Sequence, residues 1–123
     1  MKYAIIFLVV SLFSLYAYSA PERIILNPSG SGVIDDRSGF PMYDDMPQAF
    51  HNVKSHEIII DGDGVVSYYN VEISTPGTNT VEISTQVNGT YDTFSISSLP
   101  SGTHVITVES PAGHIYEGTF TVN

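Results

Sequence analysis

The stretch best suited to metal binding is DGDG at residues 61–64, in which a glycine separates two aspartates. The first carboxylates of an EF-hand calcium loop have this spacing, and that loop needs further ligands at its fifth and twelfth positions. Here the fifth position is Val65, and bulky residues fill the interval before Glu72 at the twelfth. Isoleucines before the stretch and valines after it favour the tip of a β-hairpin. A hairpin turn is therefore predicted, and a calcium-dependent module that uses Asp61 and Asp63 is the alternative.

The four histidines do not follow a metal-binding pattern. They are His51, His56, His104 and His114. His51 and His56 lie five residues apart, which does not match H-E-x-x-H, and cysteine ligands are missing. His104 alternates with Ile106 in a strand pattern that predicts an inward side chain with a backbone partner, whereas His114 leaves a turn and is predicted to be solvated. No metal ligand is assigned, and a shared site at His51 and His56 is the alternative.

Catalytic patterns are also missing from the sequence. No G-x-S-x-G nucleophile motif occurs, and the many serines and threonines match strand and turn propensities. The aspartate pairs at residues 35–36 and 44–45 could suggest a glycosidase, whose two carboxylates need a fixed separation on a rigid scaffold. They lie in a proline-interrupted stretch and are predicted to be surface charge. We therefore expect no catalytic residue, no cofactor and no enzymatic activity.

The N-terminus has the features of an export signal. Lys2 precedes an apolar run over residues 4–15, and Ala17 and Ser19 supply the small residues of a cleavage site. Cleavage after Ser19 leaves 104 residues, which is enough for one domain. The alternative is an uncleaved anchor, for which the run is short and interrupted by serine. The sequence predicts a periplasmic or extracellular protein with no membrane span in its mature form.

Composition excludes several kinds of partner and site. The chain has no cysteine, which excludes disulfides, thiolate metal sites and the lipid attachment of a lipoprotein. Without Lys2, three basic residues stand against thirteen acidic ones, a net charge of −10. Nucleic acids are bound by clustered lysine and arginine. Nucleic acid and anionic lipid surfaces are therefore excluded as partners.

The second half of the chain alternates short β-forming runs with turn sequences. Strands are predicted at residues 22–26, 56–60, 65–74, 80–87, 91–97, 103–109 and 114–122. About seven strands at this spacing are typical of an all-β sandwich. Residues 20–55 are predicted to add the opening strand and an irregular Pro/Asp-rich segment to the main sandwich at residues 56–123, as one domain.

Two features predict hairpins within this pattern. Asn88-Gly89 is the strongest hairpin signal, because both residues tolerate positive φ. VEIST occurs twice, at residues 71–75 and 81–85, around the five-residue connection PGTNT at residues 76–80. The two copies are predicted to form antiparallel neighbours with both glutamates, Glu72 and Glu82, on the outer face.

Aromatic residues and methionines crowd residues 40–50. Phe40, Tyr43 and Phe50 are the predicted ligand surface at one end of the sandwich, because rings stack on sugar faces or peptide side chains while nearby carboxylates accept hydroxyls. The alternative is that these residues seal an open end of the core.

The end of the chain, FSISSLPSGTHVITVESPAGHIYEGTFTV at residues 94–122, resembles the ending of small secreted Bacteroides-type proteins of unknown function. In that family a serine-rich strand leads into L-P-x-G-x-Y, a strand, a D/S-x-x-G turn and a final G-x-F strand. The resemblance implies an immunoglobulin-like β-sandwich and no established activity. His104 replaces the family's tyrosine, so an imidazole would have to donate the hydrogen bond of a tyrosine corner. A weaker resemblance is to carboxy-terminal secretion sorting domains, which end in basic residues, unlike this chain.

These observations predict an exported, non-enzymatic interaction module that binds a glycan or a protein through its end loops. Fold alone does not name the ligand. A purely structural envelope domain and the calcium-dependent module are the alternatives.

Overall fold

The computed structural model describes residues 20–29, 44–78 and 80–123, and the regular structure in these ranges is entirely β-strand. The strands are β1 Glu22–Ile24, β2 Asn27–Ser29, β3 Gln48–Asn52, β4 Glu57–Asp61, β5 Tyr68–Ser74, β6 Val81–Asn88, β7 Tyr91–Ser95, β8 Gly102–Glu109 and β9 Ile115–Val122. They form a four-stranded sheet in the order β1-β3-β4-β7 and a five-stranded sheet in the order β2-β9-β8-β5-β6. All neighbouring strands are antiparallel. Among these residues, none forms a helix with the length and hydropathy that a membrane crossing needs.

The all-β prediction is confirmed, but the described ranges contain nine strands where about seven were predicted. The predicted opening strand is divided, because β1 pairs with β3 in one sheet and β2 pairs with β9 in the other. Ile24 and Leu26 enter the core on either side of the exposed Ile25 as the chain changes sheets. β3 was not predicted, because its buried positions are a small alanine and a histidine, Ala49 and His51.

The DGDG stretch and Asn88-Gly89 connect the two sheets, so the prediction of a hairpin at each place is wrong. The chain leaves the four-stranded sheet after β4 and returns to it at β7. The two connections, which we call the crossover loops, comprise residues 62–67 and 89–90. Turn chemistry indicates where the chain changes direction, but it does not say which strands pair across the turn.

The crossover loops lie side by side and are hydrogen-bonded to each other. The backbone N–H groups of Gly62 and Gly64 donate to the carbonyls of Thr90 and Gly89, at 3.0 Å in both cases. In the other direction, the Gly89 N–H donates to the Ser67 carbonyl at 3.0 Å. This pairing satisfies backbone groups that would otherwise be left without partners at the end of the sandwich.

Two glycines make this close approach possible. A Cβ atom on Gly89 would overlap the backbone carbonyl of Val66, and a Cβ atom on Gly62 would overlap the carbonyl of Gly89. Neither glycine has a positive φ, unlike Gly64 in the same turn. At Gly62 and Gly89, glycine is therefore required for space and not for backbone conformation.

The repeated VEIST segments pair as neighbours, as predicted, in β5 and β6. Glu72 of the first copy is exposed on the outer face. A bulge at the start of β6 shifts the register and turns Glu82 the other way. There its carboxylate accepts the Thr75 hydroxyl at 2.7 Å and lies 3.0 Å from Nδ1 of buried His104. The outer-face prediction is therefore wrong for Glu82, because the bulge reverses the alternation.

The core lies between the two sheets. Its largest fully buried side chains are Tyr69, Tyr116, Ile58, Ile60, Ile73, Ile96, Ile106, Val71 and Val108. His104 is buried among them, and its Nε2–H donates to the Pro100 carbonyl at 2.8 Å. An imidazole thus makes the backbone hydrogen bond expected of a tyrosine at this position. His104 Nδ1 makes no hydrogen bond, although Glu82 is close.

Candidate functional site

The aromatic residues predicted as a ligand surface are not all described. Phe40 and Tyr43 lie outside the described residues, as does the predicted cleavage site at Ser19. Phe50 lies on strand β3 and is half-buried. Its neighbours in that strand point into the core, so Phe50 belongs to the outer face of the four-stranded sheet, next to Ile59 in the register. Phe50 is therefore not in an end loop, and a shared surface with Phe40 and Tyr43 stays a prediction.

The predicted metal-site alternatives find little support in the local geometry. The Asp61 carboxylate accepts the Asp63 N–H at 3.2 Å, which is a turn-stabilising contact. His51 is buried against the Phe120 ring, with ring centroids 5.3 Å apart. Burial lowers the pKa of His51, although the nearby negative charge of Glu22 acts to raise it. Over residues 20–29, 44–78 and 80–123, no three His, Asp or Glu side chains are grouped closely enough to hold a metal ion.

Asp45 is the centre of a buried hydrogen-bond network at the end of the sandwich that carries the crossover loops. Its side chain accepts hydrogen bonds from the Tyr116 hydroxyl, the Ser110 hydroxyl and His114 Nδ1, the last at 2.7 Å. Its backbone carbonyl accepts the Tyr69 hydroxyl at 2.8 Å. We call these five residues the Asp45 network.

Two predictions about this network are wrong. Asp45 was predicted to be surface charge, but it is only 8 % exposed. His114 was predicted to be solvated, but its ring is held by the Asp45 carboxylate. The sequence shows no sign of this network, because its members are up to 71 positions apart. A buried carboxylate is stable only where several donors converge on it, and that convergence is a property of the fold.

The electrostatics of the network keep Asp45 ionised. Burial alone would raise the pKa of Asp45. Two other effects hold this pKa below its ordinary value: the hydrogen bonds from Ser110, Tyr116 and His114, and the positive charge of His114 when it is protonated. Burial and the nearby Asp45 charge raise the pKa of Tyr69 to about 12. At neutral pH the Tyr69 hydroxyl is protonated and donates to the backbone carbonyl of Asp45. The ionised Asp45 carboxylate accepts from its other partners in the network. Because the Asp45 oxygens already accept several hydrogen bonds, the network is suited to fixing the chain and not to proton transfer.

The outer face of the five-stranded sheet carries two rows of polar side chains. The strand register places Gln86, Asn70, Glu109 and Ile115 in one row and Ser84, Glu72, Thr107 and Glu117 in the next. A groove of about 540 Å³ lies over them, lined by Asn70, Glu72, Ser84, Thr85, Gln86, Thr107, Glu109 and Ile115. We call it the outer-face groove. Its volume lies within the range of small-ligand pockets.

The chemistry of the outer-face groove is acidic and rich in hydrogen-bonding groups. Glu72 and Glu109 line the groove, and Glu117 lies just outside its lining; Glu109 is diagonal to each of the other two, a placement in which side chains stand about 7–8 Å apart. In the described part of the chain, no lysine or arginine pairs with them. Beside them, the Gln86 amide donates to the Asn70 side-chain oxygen at 3.2 Å. At these diagonal positions the carboxylates repel one another only weakly, and no ion pair among the described residues offsets that repulsion.

Sequence reasoning did not find this groove. Alternation within β5 and β8 does predict that Asn70, Glu72, Thr107 and Glu109 point outwards. The groove arises only because β5 lies between β6 and β8; the VEIST repeat predicts β6 beside β5, but no turn signal places β8 on its other side. The sequence signal that could have indicated this surface is the pair of outward-pointing glutamates, Glu72 and Glu109, in two segments where apolar and polar residues alternate.

The two sheets, joined by crossovers at one end and packed on a shared core, define an immunoglobulin-like β-sandwich. The structure is similar to the crystal structure of a DUF3244 family protein with this fold from Bacteroides vulgatus ATCC 8482, with a TM-score of 0.63. The alignment covers 85 % of this chain and 100 % of the other, at 11 % sequence identity. The expected resemblance to Bacteroides-type proteins of unknown function is thus confirmed at the level of the fold. The sequence matches no family model and no curated protein.

Proposed function

We propose that the protein is an exported, non-catalytic binding module whose ligand occupies the outer-face groove. The observation that carries the proposal is the pair of glutamates that lines the groove, Glu72 and Glu109, with Glu117 diagonal to Glu109 on the next strand; within the described residues none of the three forms an ion pair. Carboxylates and amides in this arrangement can accept hydrogen bonds from hydroxyls or pair with cationic groups. A ligand that supplies such groups would relieve the repulsion between the glutamates.

Several features support binding without catalysis. The described carboxylate with the most elaborate surroundings, Asp45, is occupied by its own network. Two of the four histidines are buried: His51 packs against the Phe120 ring, and His104 donates to a backbone carbonyl and lies beside the Glu82 carboxylate. The signal-like N-terminus supports export to the periplasm or the cell exterior, and the lack of cysteine excludes lipid attachment after export.

The end-loop surface expected from the sequence is less well supported than the groove. Within residues 44–47, Asp45 and Pro47 are buried, as expected of a segment that seals one end of the core. Phe50 lies on the outer face of the four-stranded sheet and not in this end segment. A purely structural role for the protein is the competing proposal, and it requires that the outer-face groove be neutral to substitution.

The groove proposal is tested with labelled protein on arrays of immobilised glycans and synthetic peptides. We expect binding that weakens about tenfold or more in the double variant Glu72→Gln, Glu109→Gln, because hydrogen bonds to charged groups contribute about 1.5–3 kcal/mol each. Glu57→Gln is the matched control, since it makes the same change on the four-stranded sheet. Equal binding by the wild-type protein and the double variant would contradict the proposal. A lack of binding to both arrays would also contradict the proposal.

A further inference from the structure

The two sheets, as formed by the described residues, have four edge strands, and three of these are protected against pairing with another chain. β1 and β2 have three residues each, and Pro28 in β2 has no N–H to offer. At β7, the Asp92 carboxylate accepts the backbone N–H of Thr93 at 2.9 Å and that of Asn88 at 3.0 Å. Short strands, prolines and occupied donors are the usual means of blocking a sheet edge.

The fourth edge, β6, lacks these protections over most of its length. It has eight residues, without proline or lysine, and pairs only with β5 in the described part of the chain. The bulge affects its first residues and Asp92 covers its last N–H, but the register from Ile83 to Val87 is regular. A long edge of this kind presents unpaired N–H and C=O groups that can accept another strand.

The open edge borders the outer-face groove. Ser84 and Gln86 of β6 line the groove, next to Glu72 and Asn70 of β5. A strand added to β6 would lie two strand spacings, about 10 Å, from β5. Long lysine and arginine side chains on the outer face of such a strand would extend towards Glu72. The backbone edge and the Glu72 carboxylate, which forms no ion pair within the described residues, are therefore placed to act on one extended ligand.

We propose that β6 is a docking edge for an extended segment of a partner polypeptide that carries basic residues at every second position. Backbone hydrogen bonds along Ile83–Val87 would supply affinity, and the groove glutamates would select the basic side chains. This inference rests on the proposed function and names the ligand class for the same groove. A second copy of this chain fits less well, because each mature copy would carry a net charge of −10, from three basic and thirteen acidic residues.

Calorimetric titration of the protein with three synthetic ten-residue peptides tests the inference. The first alternates lysine with threonine, the second alternates glutamate with threonine, and the third is the first peptide with its backbone amides N-methylated. We expect the lysine peptide to bind and the other two to bind at least tenfold more weakly. The double variant Glu72→Gln, Glu109→Gln should weaken binding of the lysine peptide about tenfold, and Glu57→Gln should leave it unchanged.

Other outcomes would overturn the inference in distinguishable ways. Equal binding of the N-methylated and unmodified lysine peptides would exclude strand addition. If the double variant Glu72→Gln, Glu109→Gln nevertheless bound both peptides more weakly, the groove would still be a charged binding site and the proposed function would stand. Binding to glycans alone, lost in the same double variant, would also preserve the proposed function and exclude a peptide ligand. A sedimentation experiment that shows a dimer, lost on proline substitution in β6, would assign the edge to a second copy.

Discussion

Replacing Asp45 with alanine is expected to destabilise the protein by about 3–5 kcal/mol, because the donors of a buried, charge-assisted network lose their shared acceptor. The Tyr116 and Ser110 hydroxyls are buried at this point, so water replaces the lost carboxylate poorly. Urea unfolding, followed by intrinsic tyrosine fluorescence or circular dichroism, measures the loss. The matched control is Asp44→Ala, since Asp44 is the exposed neighbour and should change stability by less than about 0.5 kcal/mol. Equal effects of the two substitutions would show that the Asp45 network contributes nothing.

The same network gives a pH dependence of defined sign. The pKa of Asp45 is lower in the folded protein than its ordinary value of 3.8. The stabilisation by Asp45 is therefore present above pH 3.8 and is lost as the pH falls through the lower, folded-state pKa. In Asp45→Asn this contribution is absent at neutral pH, and the decline in stability below about pH 4, measured by urea unfolding, should be shallower than in the wild-type protein.

The second large effect is expected at Gly89, where alanine should cost about 3 kcal/mol through overpacking. A Cβ atom there meets the backbone of Val66 and not a flexible side chain, so the two crossover loops must separate. Gly77→Ala is the control: its φ is 86° but nothing lies within 4 Å of the added atom. Its expected cost of about 1–2 kcal/mol comes from the left-handed backbone alone. Thermal unfolding of both variants should therefore rank Gly89→Ala well below Gly77→Ala in stability, and the reverse order would refute the account of the crossover loops.

The strand positions were largely predictable, because alternation of apolar and polar residues reports directly on which face is buried. The connection between the two VEIST copies was also interpreted correctly, since β5 and β6 are neighbours. DGDG and Asn88-Gly89 were misinterpreted for a physical reason. The same turn residues serve a hairpin within one sheet and a crossover between sheets, and only the packing of the core decides between them.

The candidate sites were less predictable than the fold. The Asp45 network depends on donors from β5, β9 and the turn between β8 and β9. The outer-face groove depends on the order of β6, β5 and β8 in the sheet. Both are contacts between distant parts of the chain, which local patterns do not encode. The bulge that redirects Glu82 was hidden for a different reason: two identical VEIST segments gave no cue that one of them is irregular.

Amide hydrogen exchange, followed by NMR with and without the lysine–threonine peptide, tests the central claim most directly. The account predicts slowed exchange along Ile83–Val87 and shifts of the signals of Glu72 and Glu109, with the four-stranded sheet unchanged. Protection and shifts confined to Phe50 and its neighbours on the four-stranded sheet, with β6 and the outer-face groove unaffected, would contradict it.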